Sequence, residues 1–337
     1  NGVYLYYRTG VTIQNLIVEG FSYGIHLYRS SGNTVTSNTA NSNFTCGIRL
    51  RSSGNSTLTD NTFNSNYYGY GILVYRSGSS TLTNNTANSN KYGMYLRRFS
   101  NSTLTGNTAS NNYYGIYLVG YCNYNTLTNN LANSNNYGVY VYASSYNEIY
   151  RNNFIGNLTQ IYVYKSRGNV FNLPAPDGGN YWSDWTSPDA DNDGFVDLPY
   201  IFYGGQDNLP WTRQDGWLVM VVEIDVKPGS YPNAINLGSH GLIPVAILST
   251  DDFDAINVDP ETVELAGSGV AVRGKSNKYM AHQEDVDGDG RLDLVVQVAT
   301  ENLIPGDFQD GYAILTGETF DGYLFQGQDE ITIVPPE

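Results

Sequence analysis

Acid is what the first half of this chain lacks. Residues 1–170 hold three carboxylates, Glu19, Asp60 and Glu148, against 11 Lys and Arg, a net of +8. Residues 171–337 hold 29 acids against six bases, a net of −23, and the whole chain carries −15. Such a split speaks to partners rather than to fold, and no nucleic-acid partner is expected. Few stretches repeat apolar residues every 3.6 positions, so helices are not expected. No run of 18 apolar residues occurs, so no helical membrane span is expected either. No leader is visible and the chain opens inside a repeat, so it reads as a mature or truncated piece of a longer product. Cysteine is scarce, with Cys46 and Cys122 only.

In place of these the chain has 36 Gly, 30 Tyr and abundant Asn, Ser and Thr, a composition of strands and turns. The stretch "STLTNNTANSNKYGMYL" recurs in close variants. Its Gly falls at 2, 24, 47, 71, 93, 115 and 138, gaps of 22 to 24 residues. Positions +1 and +3 after each Gly are apolar, from Val3/Leu5 through Ile48/Leu50 to Val139/Val141, which is the period of a half-buried strand. A second strand is marked by Ile13, Val35, Leu58, Leu82, Leu104, Leu127, Ile149 and Val170. A third inward position follows at Val18, Ala40, Phe63, Ala87, Ala109, Ala132 and Phe154.

Three short strands per repeat without hairpin turns describe one coil of a parallel β-helix. Seven or eight coils stacked at ~4.8 Å make a rod of roughly 35 Å. Parallel crossovers are nearly always right-handed, and that hand is expected here. Two columns of asparagine, Asn38 to Asn152 and Asn43 to Asn157, then read as architecture. They supply left-handed turns and an amide ladder between coils. Cys46 and Cys122 fall about three coils apart, too far for a disulfide, which needs Cα atoms within about 7 Å.

The pattern N-x-x-x-N-x-x-G-I/V-x-L resembles the β-helix repeats of secreted and periplasmic proteins. These include the family linked to copper-site maturation and many archaeal surface proteins. The resemblance covers residues 1 to about 170 and implies the fold. It leaves function open, because the fold hosts lyases, hydrolases, adhesins and structural rods.

Glycoside chemistry wants two acids about 5–10 Å apart. Asp60 and Glu148 lie about four coils, roughly 19 Å, from each other, and Glu19 is in another column. No catalytic residue is therefore expected on the rod. What it displays is basic and aromatic. Arg8, Arg29, Arg51, Arg76, Arg97 and Arg98 follow the anchor Gly by four to six residues. They read either as solvated side chains over Tyr rings or as an anion-facing stripe, for which the chain's own acidic half is an available partner. That second reading predicts head-to-tail contacts between copies, weakened by salt. Tyr95, Tyr117, Tyr140 and Tyr162 form an outward column, a packing face or a carbohydrate platform. Glycosylation sequons stand at Asn43, Asn55, Asn84, Asn101 and Asn157.

The repeat fades at "GNVFNLPAPDGGNYWSDW", and all four Trp fall at 182, 185, 211 and 217, as an aromatic cap over the open end of the rod would place them. "GNYWSDW", "DADNDGFVDLPY" and "DNLPW" resemble the tail that follows such repeats. "DADNDGFVD" sets Asp189, Asp191, Asp193 and Asp197 at loop positions 1, 3, 5 and 9, with the Phe195 carbonyl at 7, the oxygen spacing of a Ca²⁺ loop. "DVDGDGRLD" repeats it with Asp285, Asp287, Asp289, Arg291 at position 7 and Asp293. Position 12 is Tyr200 in one and Val296 in the other, so neither is a full EF-hand. Two Ca²⁺ ions are expected.

Residues 220–337 alternate short apolar runs with turns, the signature of a β-sandwich. "VEIDVKPGS", "INLGSHGLIPVAILSTDDFDA", "EDVDGDGRLDLV" and "LTGETFDG" resemble a module at the ends of secreted prokaryotic proteins, which implies an extracellular sandwich with calcium. The expected organisation is a β-helix over 1–170, a Trp-rich cap and linker over 171–219, and a sandwich over 220–337. The expected function is a non-catalytic extracellular structural protein that self-associates into a surface layer, sheath or filament. The alternatives are a carbohydrate-binding surface protein and a polysaccharide-active enzyme.

Overall fold

Eight strands lie side by side in one parallel sheet: Val3–Tyr6, Tyr23–Tyr28, Cys46–Arg51, Tyr70–Tyr75, Tyr92–Arg97, Tyr114–Val119, Tyr137–Tyr142 and Thr159–Tyr164. The computed structural model describes residues 1–337 apart from 192, 275–277, 309–310 and 335–337. A second parallel sheet stacks seven strands, from Thr12–Gln14 to Glu148–Ile149. A third holds Thr108–Ser110, Leu131–Asn133, Asn153–Ile155 and Tyr181–Trp182, and single bridges from Ile17 through Thr39, Thr62 and Thr86 continue it toward the first coil. This is the expected parallel β-helix. Its registers align the repeat, with Ile25 beside Ile48, Ile48 beside Ile72 and Leu82 beside Leu104. The apolar residues of all three inward positions form one continuous core.

Each coil turns four corners, and each corner uses a residue with positive φ. One column runs Asn15, Ser37, Asp60, Asn84, Gly106, Asn129 and Arg151. The ladder asparagines are not these residues. They stand one position later, so the expectation that they adopt the left-handed turn is corrected. The small or polar residue before each absorbs the turn. The asparagine itself is left free to point inward and bond the neighbouring coil. Asn61 shows the pattern. Its Nδ2 donates to the Val35 carbonyl at 2.8 Å and to Asn85 Oδ1 at 2.9 Å, and its Oδ1 accepts from the Asn38 N–H at 3.0 Å. A third ladder, mixed Asn and Ser, runs Asn33, Ser56, Ser80, Ser102, Asn125, Asn147 and Asn169. Buried Ser30, Ser53, Ser77 and Ser144 line the fourth corner, and Cys122 takes a serine's place among them, its N–H donating to Ser144 Oγ. Buried backbone groups at the corners are thereby satisfied.

The rod's end is covered by Phe171 and Trp182, both buried, with Trp182 stacked between Phe154 and Tyr200 at 4.6 and 4.3 Å. A hairpin, Tyr200–Phe202 with Gly205–Asp207, completes the cover. The central asparagine ladder ends there on a carboxylate. Asp207 is fully buried and accepts from the Asn180 N–H, Trp182 Nε1 and the Leu209 N–H at 2.7, 2.9 and 3.1 Å. Burial pushes its carboxyl up to about 6 against those donors.

Residues Asn1–Trp217 form one compact unit and Leu218–Glu337 another. The second is a β-sandwich. One sheet holds Val219–Val222, Leu324–Val334, Tyr312–Glu318, Glu264–Leu265 and Ser268–Gly269, and the other holds Ile224–Val226, Leu242–Ile247, Asp293–Ala299 and Ala281–Glu284. Val245, Val263, Val296, Leu315 and Phe325 are among the residues of its core.

Candidate functional surfaces

The first aspartate loop brings together Asp189, Asp191 and Asp197, with carboxylate oxygens all within 4.8 Å of one another. Asp193 stays outside that group and caps the Phe195 N–H at 2.9 Å. Asp189 accepts from the Asp193 and Gly194 N–H groups, and burial raises its pKa in spite of them. Phe195 anchors the loop, its ring buried 4.4 Å from Trp211. The second loop brings together Asp285, Asp287 and Asp289. Asp293 is fully buried and holds the Ser249 and Val286 N–H groups, each at 2.8 Å, so it ties the loop to the sandwich instead. Arg291 folds its side chain back onto Asp289 at 2.6 Å and onto Asp251. The Arg291 N–H, with its guanidinium, holds the Asp289 carboxyl below its ordinary value. Both groups of three can hold a metal ion.

The six arginines do not form a single stack, although Arg76 and Arg98 share a column on successive coils. Strand-end positions of successive coils read Tyr28, Arg51, Tyr75, Arg97. The next position, the left-handed corner, reads Tyr7, Arg29, Ser52, Arg76, Arg98. From coil two to coil five arginine thus steps between two neighbouring columns, which spares it the repulsion of a single continuous stack except where Arg98 follows Arg76. Arg29 lies 5.4 Å from the centres of Tyr7 and Tyr28, Arg51 lies 5.2 Å from Tyr28, and Arg76 and Arg97 lie 5.1 and 5.7 Å from Tyr75. Arg8 is exposed at the first coil, and its guanidinium donates to the Tyr7 carbonyl.

Tyr95, Tyr117, Tyr140 and Tyr162 do form a column, and a second column stands beside it: Tyr70, Tyr92, Tyr114 and Tyr137. The sequence carried that signal, a Tyr just before the anchor Gly. Rings of the second column stack face to face at 4.9, 5.1 and 5.2 Å. Tyr95 and Tyr140 meet them edge-on, at 83° to Tyr92 and 87° to Tyr114, whereas Tyr117 lies nearly parallel to Tyr92 and Tyr114, at 13° and 20°. Tyr162 is closed off by Tyr203, parallel at 4.8 Å. A sugar platform needs free ring faces, and here the faces cover one another. Burial, then the neighbouring phenols, push Tyr114 up to about 12 and Tyr117 higher still.

Of the five sequons, Asn55, Asn84 and Asn101 are exposed at left-handed corners. Asn43 and Asn157 are buried, with Nδ2 donating to the Val18 and Ala132 carbonyls. Acceptance of a glycan at these two is corrected, because it would break the ladder. Glu19, Asp60 and Glu148 are all exposed and join no group of three acids among the described residues.

A stacked rod with basic and aromatic faces, closed by an aromatic cap, defines a repeat protein of the parallel β-helix class. The chain belongs to the NosD family, described as periplasmic copper-binding protein, whose model matches residues 1–187. That agrees with the extracellular or cell-surface location expected, and among the described residues no helix is long and apolar enough to cross a membrane. No curated protein matches the chain. It is similar to the crystal structure of a mutant of the periplasmic alginate epimerase AlgG, at 23% identity and a TM-score of 0.40. The match covers 49% of this chain and 40% of that one, and so spans less than half the epimerase's length.

Copper favours imidazole and sulfur donors. His26 offers one. Its Nε2 is buried without a hydrogen-bond partner, and burial, then Arg49 and Arg51, hold its pKa down to about 4. The rest of the set is missing. Burial pushes the Cys46 thiol up to about 12, Cys122 is buried at a serine corner, and Met94 lies in the core. Among the described residues no group of three metal-binding side chains includes a His or Cys. One neutral imidazole beside two guanidinium groups does not fit a dedicated copper centre.

Proposed function

We propose that this chain is a non-catalytic structural protein of the cell exterior that self-associates into a layer, sheath or filament, with Ca²⁺ stabilising its two aspartate loops. The observation that carries the reading is the rod itself. Two buried asparagine ladders and one apolar core run from coil to coil, and two tyrosine columns cover the later coils, while its carboxylates stay apart. Such a surface supports contacts along its length. Opposite net charges on the two halves add a long-range attraction between copies, head to tail, which needs no particular side chain.

The oxygen-only donor sets suit Ca²⁺ better than copper. Sedimentation of the full chain over a range of protein and salt concentrations, with and without Ca²⁺, tests the reading. Concentration-dependent growth that salt weakens supports it. A monomer under all conditions defeats it. Turnover of a polysaccharide would favour the enzyme alternative.

A further inference from the structure

We propose that the Arg–Tyr stripe on coils two to five is a docking track for a linear acidic polysaccharide, a polyuronate, lying along the rod axis. The proposal goes beyond the structural reading and does not depend on self-association.

Three observations converge on it. The first is unanswered charge. Arg29, Arg51, Arg76, Arg97 and Arg98 are exposed, and among the described residues none has a carboxylate partner. An ion pair in this unit, Arg151 with Asp177, lies beyond the stripe toward the cap. The second is preorganisation. The guanidinium groups of Arg29, Arg51, Arg76 and Arg97 lie over tyrosine rings at 5.1 to 5.7 Å. Arg29 Nη1 also donates to Tyr7 Oη. A ring beneath fixes the plane, leaves the remaining N–H groups to meet carboxylates, and lowers the entropy lost on binding.

The third is pitch. Each of four successive coils adds a guanidinium, so the charges advance by ~4.8 Å per coil. They step from corner column to strand-end column and back: Arg29, Arg51, Arg76, Arg97. An extended polyuronate carries one carboxylate per pyranose, and a pyranose is about as long as one coil is high. Its carboxylates therefore come level with successive arginines. An acidic β-strand repeats its same-face side chains only every ~6.8 Å and loses register within a few coils. Neutral glycans are disfavoured, because the neighbouring tyrosine faces are taken up by one another.

Affinity electrophoresis and calorimetry of the full chain with polygalacturonate, with dextran as the neutral control, test the proposal. Wild type should bind polygalacturonate in low salt, lose it in high salt, and ignore dextran. The double variant Arg51→Gln/Arg97→Gln should bind about tenfold or more weakly, with a shallower salt dependence. Lys91→Gln removes an exposed charge at a different corner and should bind like wild type. Unchanged thermal unfolding of the double variant separates lost binding from lost fold. Equal retention by dextran, or undiminished binding by the double variant, overturns the proposal. So does a double variant that keeps polygalacturonate but no longer self-associates, since the occupant would then be a second copy.

Discussion

Replacing Asn107 by Ala removes one rung from the middle of the central ladder. Asn107 is fully buried. Its Oδ1 accepts from the Asn85 N–H and Asn85 Nδ2, both at 3.0 Å, and its Nδ2 donates to the Leu82 carbonyl at 2.8 Å and to Asn130 Oδ1 at 3.0 Å. The truncation strands the buried Asn85 N–H and removes the other three bonds. A buried group left unpaired costs about 1–3 kcal/mol and each of the three lost bonds about 0.5–1.5, so the total loss is about 2.5–7.5 kcal/mol. Urea unfolding followed by circular dichroism reads it. The internal control is Asn101→Gly. Asn101 is exposed at φ 53°, a conformation glycine adopts without penalty. That variant should match or exceed wild type by up to ~1 kcal/mol. If Asn107→Ala cost less than about 1 kcal/mol, or the two asparagines behaved alike, the ladder would not be what holds the coils in register.

Further outcomes follow from the cap, the loops and the thiols. Asp207 has a carboxyl raised to about 6, so the folded chain holds its proton more tightly than the unfolded one. Stability from this group is present in acid and falls as pH rises from about 4 through about 6, by roughly 3 kcal/mol. Asp207→Asn should remove that slope, and urea midpoints at either end of the window would show it. His26 has the opposite sign. Its imidazole is kept neutral in the fold, so stability falls as pH drops below the ordinary histidine value toward about 4, and an NMR titration should place its midpoint near 4. Calcium should raise the unfolding temperature and chelation lower it, with part of the gain lost in Asp285→Asn/Asp287→Asn; no shift in wild type would remove calcium from the account. Both thiols should resist a thiol reagent until the rod unfolds, since Cys46 and Cys122 are buried and have raised pKa values.

The repeat was legible because stacking in register makes each column a statistical event in the sequence. Ile25, Ile48, Ile72 and Met94 recur where one coil covers the next. The sandwich was legible from its alternating runs. What escaped did so for local reasons. The asparagine ladder and the left-handed corner differ by one residue, and spacing alone cannot say which of "SN" or "NN" turns and which points inward. The mixed third ladder was hidden because Ser and Asn share the task, a hydroxyl or an amide serving equally to accept the N–H above. Asp207 was hidden because the repeat loses phase after residue 170, and a carboxylate ends a column of amides only once the cap has folded over it. The alternation of Arg and Tyr depended on two adjacent positions exchanging roles from coil to coil. In the aspartate loops the spacing brought three carboxylates of each together, but Asp293 faces inward to backbone donors, which only the sandwich packing decides.

Electron microscopy of native material tests the central claim most directly, namely that this column of coils serves contact rather than chemistry. Ordered layers, sheaths or filaments that dissolve in high salt are the predicted result. Discrete single molecules at every concentration, together with release of a shortened or altered polysaccharide, would contradict it.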